Sequence, residues 1–224
     1  MTFRSLSLAT IAISTAVFLT SCGTNSTLTV LDKSAIRNGS SGGSRASIAK
    51  SESFSTAAPS ASAVTAAAGK PRDKHSMPVY AFSDRNRIVR TTAYTCSESD
   101  HLVYGSKNAT GTQLRYTDRV RSAAADWSFY PVGTTFRIKG LPYLYVVDDY
   151  GSALTGTGTI DIYKPSKEIM NQWGRRNVEI TIVQWGSFTR SAEILAKRTS
   201  YSHCRSMLAN IVRQQPQLGA TAMR

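Results

Sequence analysis

The chain has 224 residues, with 27 Lys and Arg against 14 Asp and Glu, for a formal net charge of +13. That excess points to an anionic partner, among them nucleic acid, anionic lipid or an anionic wall polymer, while a basic surface kept for solubility is the plain alternative. Its three cysteines and three histidines have no metal-site spacing, no cofactor is expected, and no zinc spacing or base-reading helix points to nucleic acid.

Arg4 is the only charge before an apolar stretch, Leu8–Leu19, which is too short to span a bilayer. Leu19-Thr20-Ser21-Cys22 follows, then Gly23, and this resembles a bacterial lipobox. Residues 1–21 are then a lipoprotein signal peptide, Cys22 is the lipidated N-terminus, and the lipid anchors the chain to a membrane. An ordinary secretory signal that contains Cys22 is the alternative. Either way the chain is exported, which removes nucleic acid as a partner. Glycine rather than aspartate after the cysteine, by resemblance to enterobacterial lipoproteins, implies the outer membrane, facing the periplasm.

Residues 22–75 are rich in Ser, Ala, Thr and Gly. The runs Gly39–Ser44 and Ala57–Ala63 hold no large apolar group, so they predict a flexible tether. A poorly packed helix over Ala63–Ala68 is the alternative. From Ile88 the texture changes. Strand-like stretches run over Ile88–Thr95, Thr134–Ile138, Tyr143–Asp148, Thr159–Tyr163 and Val178–Trp185, separated by Pro- and Gly-bearing turns. One helix is predicted over Ser166–Trp173, with Ser166 as N-cap and Gly174 as its end. Short strands with one embedded helix predict an all-β domain over 88–188 that closes into a small barrel. Apolar residues then recur at helical spacing over Ala192–Lys197 and His203–Gln214. The segment 190–224 is expected as a helical tail, packed on the barrel or trailing from it. In an oxidising compartment Cys96 and Cys204 can form a disulfide, and two free thiols are the alternative.

Three aspartates, Asp126, Asp149 and Asp161, each lie in or beside a run of β-branched, aromatic or small residues. Desolvation in such company raises a carboxyl pKa. A carboxylic acid still protonated near neutral pH is what a glycosidic oxygen needs in order to leave. Aspartates that simply end strands are the plain alternative.

The words around these aspartates run in one order. They are Thr92-Ala93-Tyr94-Thr95, Ala109-Thr110-Gly111, Ala124-Ala125-Asp126, Tyr130-Pro131-Val132-Gly133-Thr134, Val147-Asp148-Asp149-Tyr150-Gly151-Ser152-Ala153-Leu154, Ile160-Asp161-Ile162-Tyr163 and Gly174-Arg175-Arg176-Asn177-Val178. Together they resemble the three-aspartate, or 3D, domain of bacterial stationary-phase survival proteins and of the membrane-bound lytic transglycosylase A family. The resemblance implies a six-stranded double-psi β-barrel with a short inserted helix and a C-terminal helical extension. It also implies murein glycan strands as substrate. Tyr150 replaces the family's threonine, Ser152 replaces a glycine, and Asp148 adds a carboxylate.

By the same resemblance Asp161 protonates the leaving oxygen and then takes the proton of the sugar's own C6 hydroxyl, which attacks C1. Asp149 raises its pKa or holds a substrate hydroxyl, and Asp126 positions substrate or fixes a loop by accepting backbone N–H bonds. Arg175 and Arg176 are candidates for a peptide-stem carboxylate, or belong to a solvated turn. Tyr94 and Thr110 line the groove or pack, and Tyr150 stacks on a sugar or narrows the cleft. Trp173 and Trp185 are expected in the core, with Trp127 open between core and sugar platform. Two rivals stand beside this lytic transglycosylase: a non-catalytic, expansin-like wall-binding module, and a structural lipoprotein joining membrane to wall through its charge.

Overall fold

The computed structural model describes residues 54–97 and 105–216. The expected signal peptide 1–21, the lipidation site Cys22, the tether up to residue 53 and the chain end 217–224 lie outside the described residues.

Six strands carry the domain: β1 (Asn86–Tyr94), β2 (Val120–Ala125), β3 (Thr135–Ile138), β4 (Leu144–Asp149), β5 (Ile160–Tyr163) and β6 (Arg176–Gln184). Each pairs with two neighbours, and the order β1-β5-β2-β4-β3-β6 closes on itself as a barrel. Closure removes the unpaired edge that an open sheet must protect. The sheet is mixed: β1–β5 and β2–β4 are parallel, and the other four pairs antiparallel.

The two-residue period of the sequence sets which side chains turn inward. On β6, Val178, Ile180 and Ile182 are buried while Thr181 and Val183 face out. Phe136, Ile138, Tyr145, Val147, Ile160 and Ile162 join them in one core. β2 was not foreseen among the strand-like stretches. Its Val120-Arg121-Ser122-Ala123-Ala124-Ala125 shows no alternation, and alanine prefers helix. It is a strand because it lies between β4 and β5, where Ala123 and Ala125 are fully enclosed.

Helix α1 spans Ala61–Ala68, α2 Lys167–Trp173, α3 Phe188–Ala196 and α4 Ser202–Gln214, and a 3-10 turn spans Ser152–Leu154. Helix α2 has the expected ends: the Ser166 hydroxyl accepts the Ile169 N–H, and Gly174 closes it with φ of 58°. Helices α3 and α4 are packed on the barrel rather than trailing from it. Ala192, Leu195, Cys204, Met207 and Ile211 all belong to the main core.

Two expectations need correction. The tether stops short of residue 75, because from Phe54 onward the described chain is held to the barrel. Phe54 meets Trp173 edge to face at 5.7 Å. The Ser60 N–H and hydroxyl donate to Glu179 at 2.7 and 3.0 Å, and the same hydroxyl caps α1. The run Ala57–Ala63 holds no large apolar group, yet Ala63 and, beyond it, Ala67 are buried. Nor does the Cys96–Cys204 disulfide form. Cys204 is a free thiol at 0% exposure in the main core, pointed there by α4. Cys96 lies past the end of β1 in a separate cluster with Tyr94, Ala124, Leu154 and Tyr163.

Candidate active site

On β1, Val89 and Thr91 face inward, so Arg90, Thr92 and Tyr94 alternate onto the opposite face. The register then carries one line across four strands. Thr92 lies opposite Asp161 on β5, Asp161 opposite Ala124 on β2, and Ala124 opposite Asp149 on β4. Asp161 and Asp149 are thus two strand spacings apart, about 10 Å between backbones. Only the Ala124 methyl stands between them, which leaves room for the two carboxyls to converge.

A β-bulge brings a third carboxyl to the same place. Ala123 pairs with Val147, but the next pair is Ala124 with Asp149, so Asp148 is the extra residue on β4. A bulge re-aims side chains, and here two successive aspartates leave the core face together. The Ser122 hydroxyl donates to Asp148 Oδ2 at 2.8 Å, and the Tyr94 hydroxyl donates to Asp149 Oδ2 at 3.2 Å.

Asp149 is fixed in place. Its Oδ1 accepts the N–H groups of Ala109 and Tyr150, each at 3.0 Å, and its backbone carbonyl accepts the Trp127 indole N–H at 2.9 Å. The Ala109 amide is presented by a tight turn in which Asn108 Oδ1 accepts the N–H groups of Thr110 and Thr112. The Thr110 hydroxyl is used inside that turn, donating to Asn108 Oδ1 at 2.8 Å.

Asp148 is 6% exposed, and its Oδ1 is buried without a hydrogen bond. Burial first, then the charge of Asp149, push it up from 3.8 to about 6, against the opposing hydrogen bond from Ser122. The Tyr94 phenol is held well above its ordinary value by burial and by the charges of Asp149, Asp148 and Asp161. Three carboxyls therefore act on one hydroxyl. Asp149 and Asp148 are both 6% exposed, whereas Asp161 is half-buried. Asp161 accepts the Thr92 hydroxyl at 2.6 Å and keeps a face toward solvent. Among the described residues no three His, Cys, Asp or Glu side chains are arranged to hold a metal ion.

Asp126 is placed differently. It is 0% exposed, and both oxygens are engaged: Oδ1 by the Ser128 N–H and hydroxyl at 2.8 and 2.7 Å, Oδ2 by the Gly156 N–H at 2.6 Å. Burial raises its pKa above 3.8 in spite of these bonds. The carboxylate ties the β2 exit to the loop between β4 and β5, and it adjoins Trp127, which holds the Asp149 carbonyl.

The remaining expected site residues divide. Tyr94 stands inside the carboxyl cluster, and Thr110 is one residue from the amide that holds Asp149. Tyr150 turns the other way: its ring meets Trp127 edge-on at 5.0 Å, and its hydroxyl accepts from Arg198 at 2.9 Å. The ring is half-buried, between Trp127 and His203. Arg176 caps the end of α2, donating to the carbonyls of Trp173, Gln172 and Phe54, with its guanidinium over the Trp173 ring. Arg175 is exposed and carries no such bonds. Trp127 and Trp173 are core, and Trp185 is half-buried against Phe82 and Tyr130.

Arg198 was missed. It joins the α3–α4 turn to the site, donating to the Tyr150 hydroxyl and, at 2.8 Å, to the carbonyl of Ala109. Nothing local in the sequence marks it, because its partners lie 48 and 89 residues away. Asp148 was visible as an added carboxylate, but its burial was not.

Residues 121–184 match the family model of the 3D domain. The match runs from β2 to β6 and contains Asp126, Asp148, Asp149 and Asp161, and β1 lies outside it. No curated protein matches the chain.

Proposed function

We propose that this protein is an exported lipoprotein whose barrel, of double-psi type, is a peptidoglycan lytic transglycosylase. The matched family is linked to peptidoglycan and to lytic-transglycosylase-like activity, which supports the substrate class. The observation that carries the reaction type is the carboxyl cluster. Asp161 is the most open of the three, while two nearly enclosed carboxyls stand beside it.

Asp161 donates its proton to the oxygen leaving C1 of the muramyl sugar as the C1–O bond breaks. The C6 hydroxyl of the same sugar forms the new C1–O6 bond and returns its proton to Asp161. No water is consumed, the product ends in a 1,6-anhydro ring, and one carboxyl serves as acid and then base. Asp149, oriented by Ala109, Tyr150 and Tyr94, supplies fixed negative charge toward the oxocarbenium-like centre. Asp148, buried beside Asp149, adds its own charge to the cluster as it ionises. Asp126 and Arg198 hold the loops that place Asp149. The chain is anchored by lipid at Cys22 in the outer membrane, with its domain toward the wall.

The test is mass spectrometry of soluble products from purified sacculi, with Asp161→Asn alongside. Anhydro-muramyl products from wild type only are expected. Reducing-end products would mean hydrolysis by a second carboxylate. Protein that pellets on sacculi and yields no product would leave the wall-binding module standing.

A further inference from the structure

A cleft of about 310 Å³ is lined by His75, Met77, Arg90, Arg175 and Asn177. Arg90 precedes Thr92 by two residues on β1 and shares its face, so the cleft begins about 7 Å along the strand from the carboxyl cluster. Asn177 is the β6 partner of Arg90, and Arg175 enters from the turn before β6. His75 and Met77 come from the N-terminal segment that packs on the barrel.

The charge of this cleft is not neutralised within the described residues. Arg90 makes one side-chain hydrogen bond, to the Thr159 hydroxyl at 3.2 Å, and no ion pair. Arg175 makes neither. The acid on the adjoining segment, Asp73, has its oxygens taken by the N–H groups of His75, Met77 and Gly158. The two guanidiniums therefore face the cleft with their donors available, and a guanidinium fork matches a carboxylate.

We propose that this cleft is an anionic subsite that binds a carboxylate of the glycan strand while the sugar chain lies across Asp161. The proposal rests on the substrate class argued above. Such a strand carries carboxylates from two sources, the lactyl group where the stem has been removed and the stem peptide where it has not. The volume exceeds that of a lactyl group or one amino-acid residue and so admits either. Acid chemistry at one end of the face and carboxylate capture at the other would fix both register and direction of the strand.

The test measures binding with the full chain carrying Asp161→Asn, so that probes stay intact, and with Arg90→Gln or Arg175→Gln added. Three probes are used: a neutral N-acetylglucosamine tetramer, a stem-free muramyl tetrasaccharide, and the same tetrasaccharide with its stem peptides. Each arginine variant is expected to lose about tenfold in affinity for carboxylate-bearing glycan and nothing for the neutral tetramer. A loss confined to the stem-free probe assigns the lactyl carboxylate, a loss confined to the peptide-bearing probe assigns the stem, and a loss on both means that the cleft takes whichever carboxylate the strand offers. An equal loss on all three probes, or none on either muramyl probe, overturns the subsite alone. Failure of the parent to bind any probe overturns the substrate class and the subsite with it. Arg175, exposed and without internal bonds among the described residues, keeps the test readable if Arg90→Gln misfolds.

Discussion

Asp126→Ala deletes the acceptor of three donors, the Ser128 N–H, the Ser128 hydroxyl and the Gly156 N–H. The site is fully enclosed, so water does not replace the carboxylate. The hydroxyl can rotate, but the two amides cannot, and each unmet buried donor costs about 1–3 kcal/mol. A loss of roughly 3–5 kcal/mol follows, against a typical total of roughly 5–15 kcal/mol. The sign of the pH dependence is fixed by burial, which raises the folded pKa of Asp126 above 3.8. A raised carboxyl contributes most below its unfolded pKa and loses that contribution as pH rises. The deficit of Asp126→Ala is therefore greatest in acid and shrinks toward neutral pH. Asp161→Asn is the contrast: Asp161 is half-buried and accepts the Thr92 hydroxyl, which an amide oxygen can also accept, so the variant is expected to shift stability by about 1 kcal/mol or less and to abolish product. Guanidinium denaturation at two pH values, beside anhydro-product assays on both variants, measures this. An Asp126→Ala protein within about 1 kcal/mol of wild type, yet inactive, would show that Asp126 acts on substrate and is not a clasp.

Asp148, raised from 3.8 to about 6, contributes stability in acid that is lost as pH rises through about 6. The stability of wild type relative to Asp148→Asn should fall by at most roughly 3 kcal/mol between about pH 4 and pH 7, and a flat difference would remove Asp148 from the cluster's electrostatics. At Gly186 an added Cβ would collide with the carbonyl oxygens of Pro131 and Val132 and the amide of Thr134. Gly186→Ala should cost about 3 kcal/mol by thermal melting, and an unchanged melting temperature would contradict that close approach. Arg198→Ala removes two half-buried charged hydrogen bonds and should cost about 2 kcal/mol. Hydrogen exchange should show the Ala109 amide losing protection, and unchanged protection there would mean that Arg198 does not hold the turn against Asp149.

Local pattern was enough for much of this protein. Alternation marks β1 and β3–β6, Ser166 and Gly174 mark the ends of α2, and the apolar spacing of Met207 and Ile211 marks α4. The ordered words around Asp126, Asp149 and Asp161 lead to the 3D domain that matches. What the residues of a strand do alone is written in its period. Tertiary structure decided the rest. β2 is a strand because of its neighbours, the alanines of α1 are buried because Glu179 anchors Ser60, and Cys204 is enclosed by a helix that the sequence left loose. It separated three similar aspartates into an enclosed clasp, a buried carboxyl held by two amides and a half-buried carboxyl. It set Tyr150 against Arg198 and Arg176 against the Phe54 carbonyl, and it set Arg90 and Arg175 in one cleft. Hydrophobic period is a property of adjacent residues. The exposure and partners of a polar side chain depend on whichever remote segment packs beside it, and barrel closure chooses that segment.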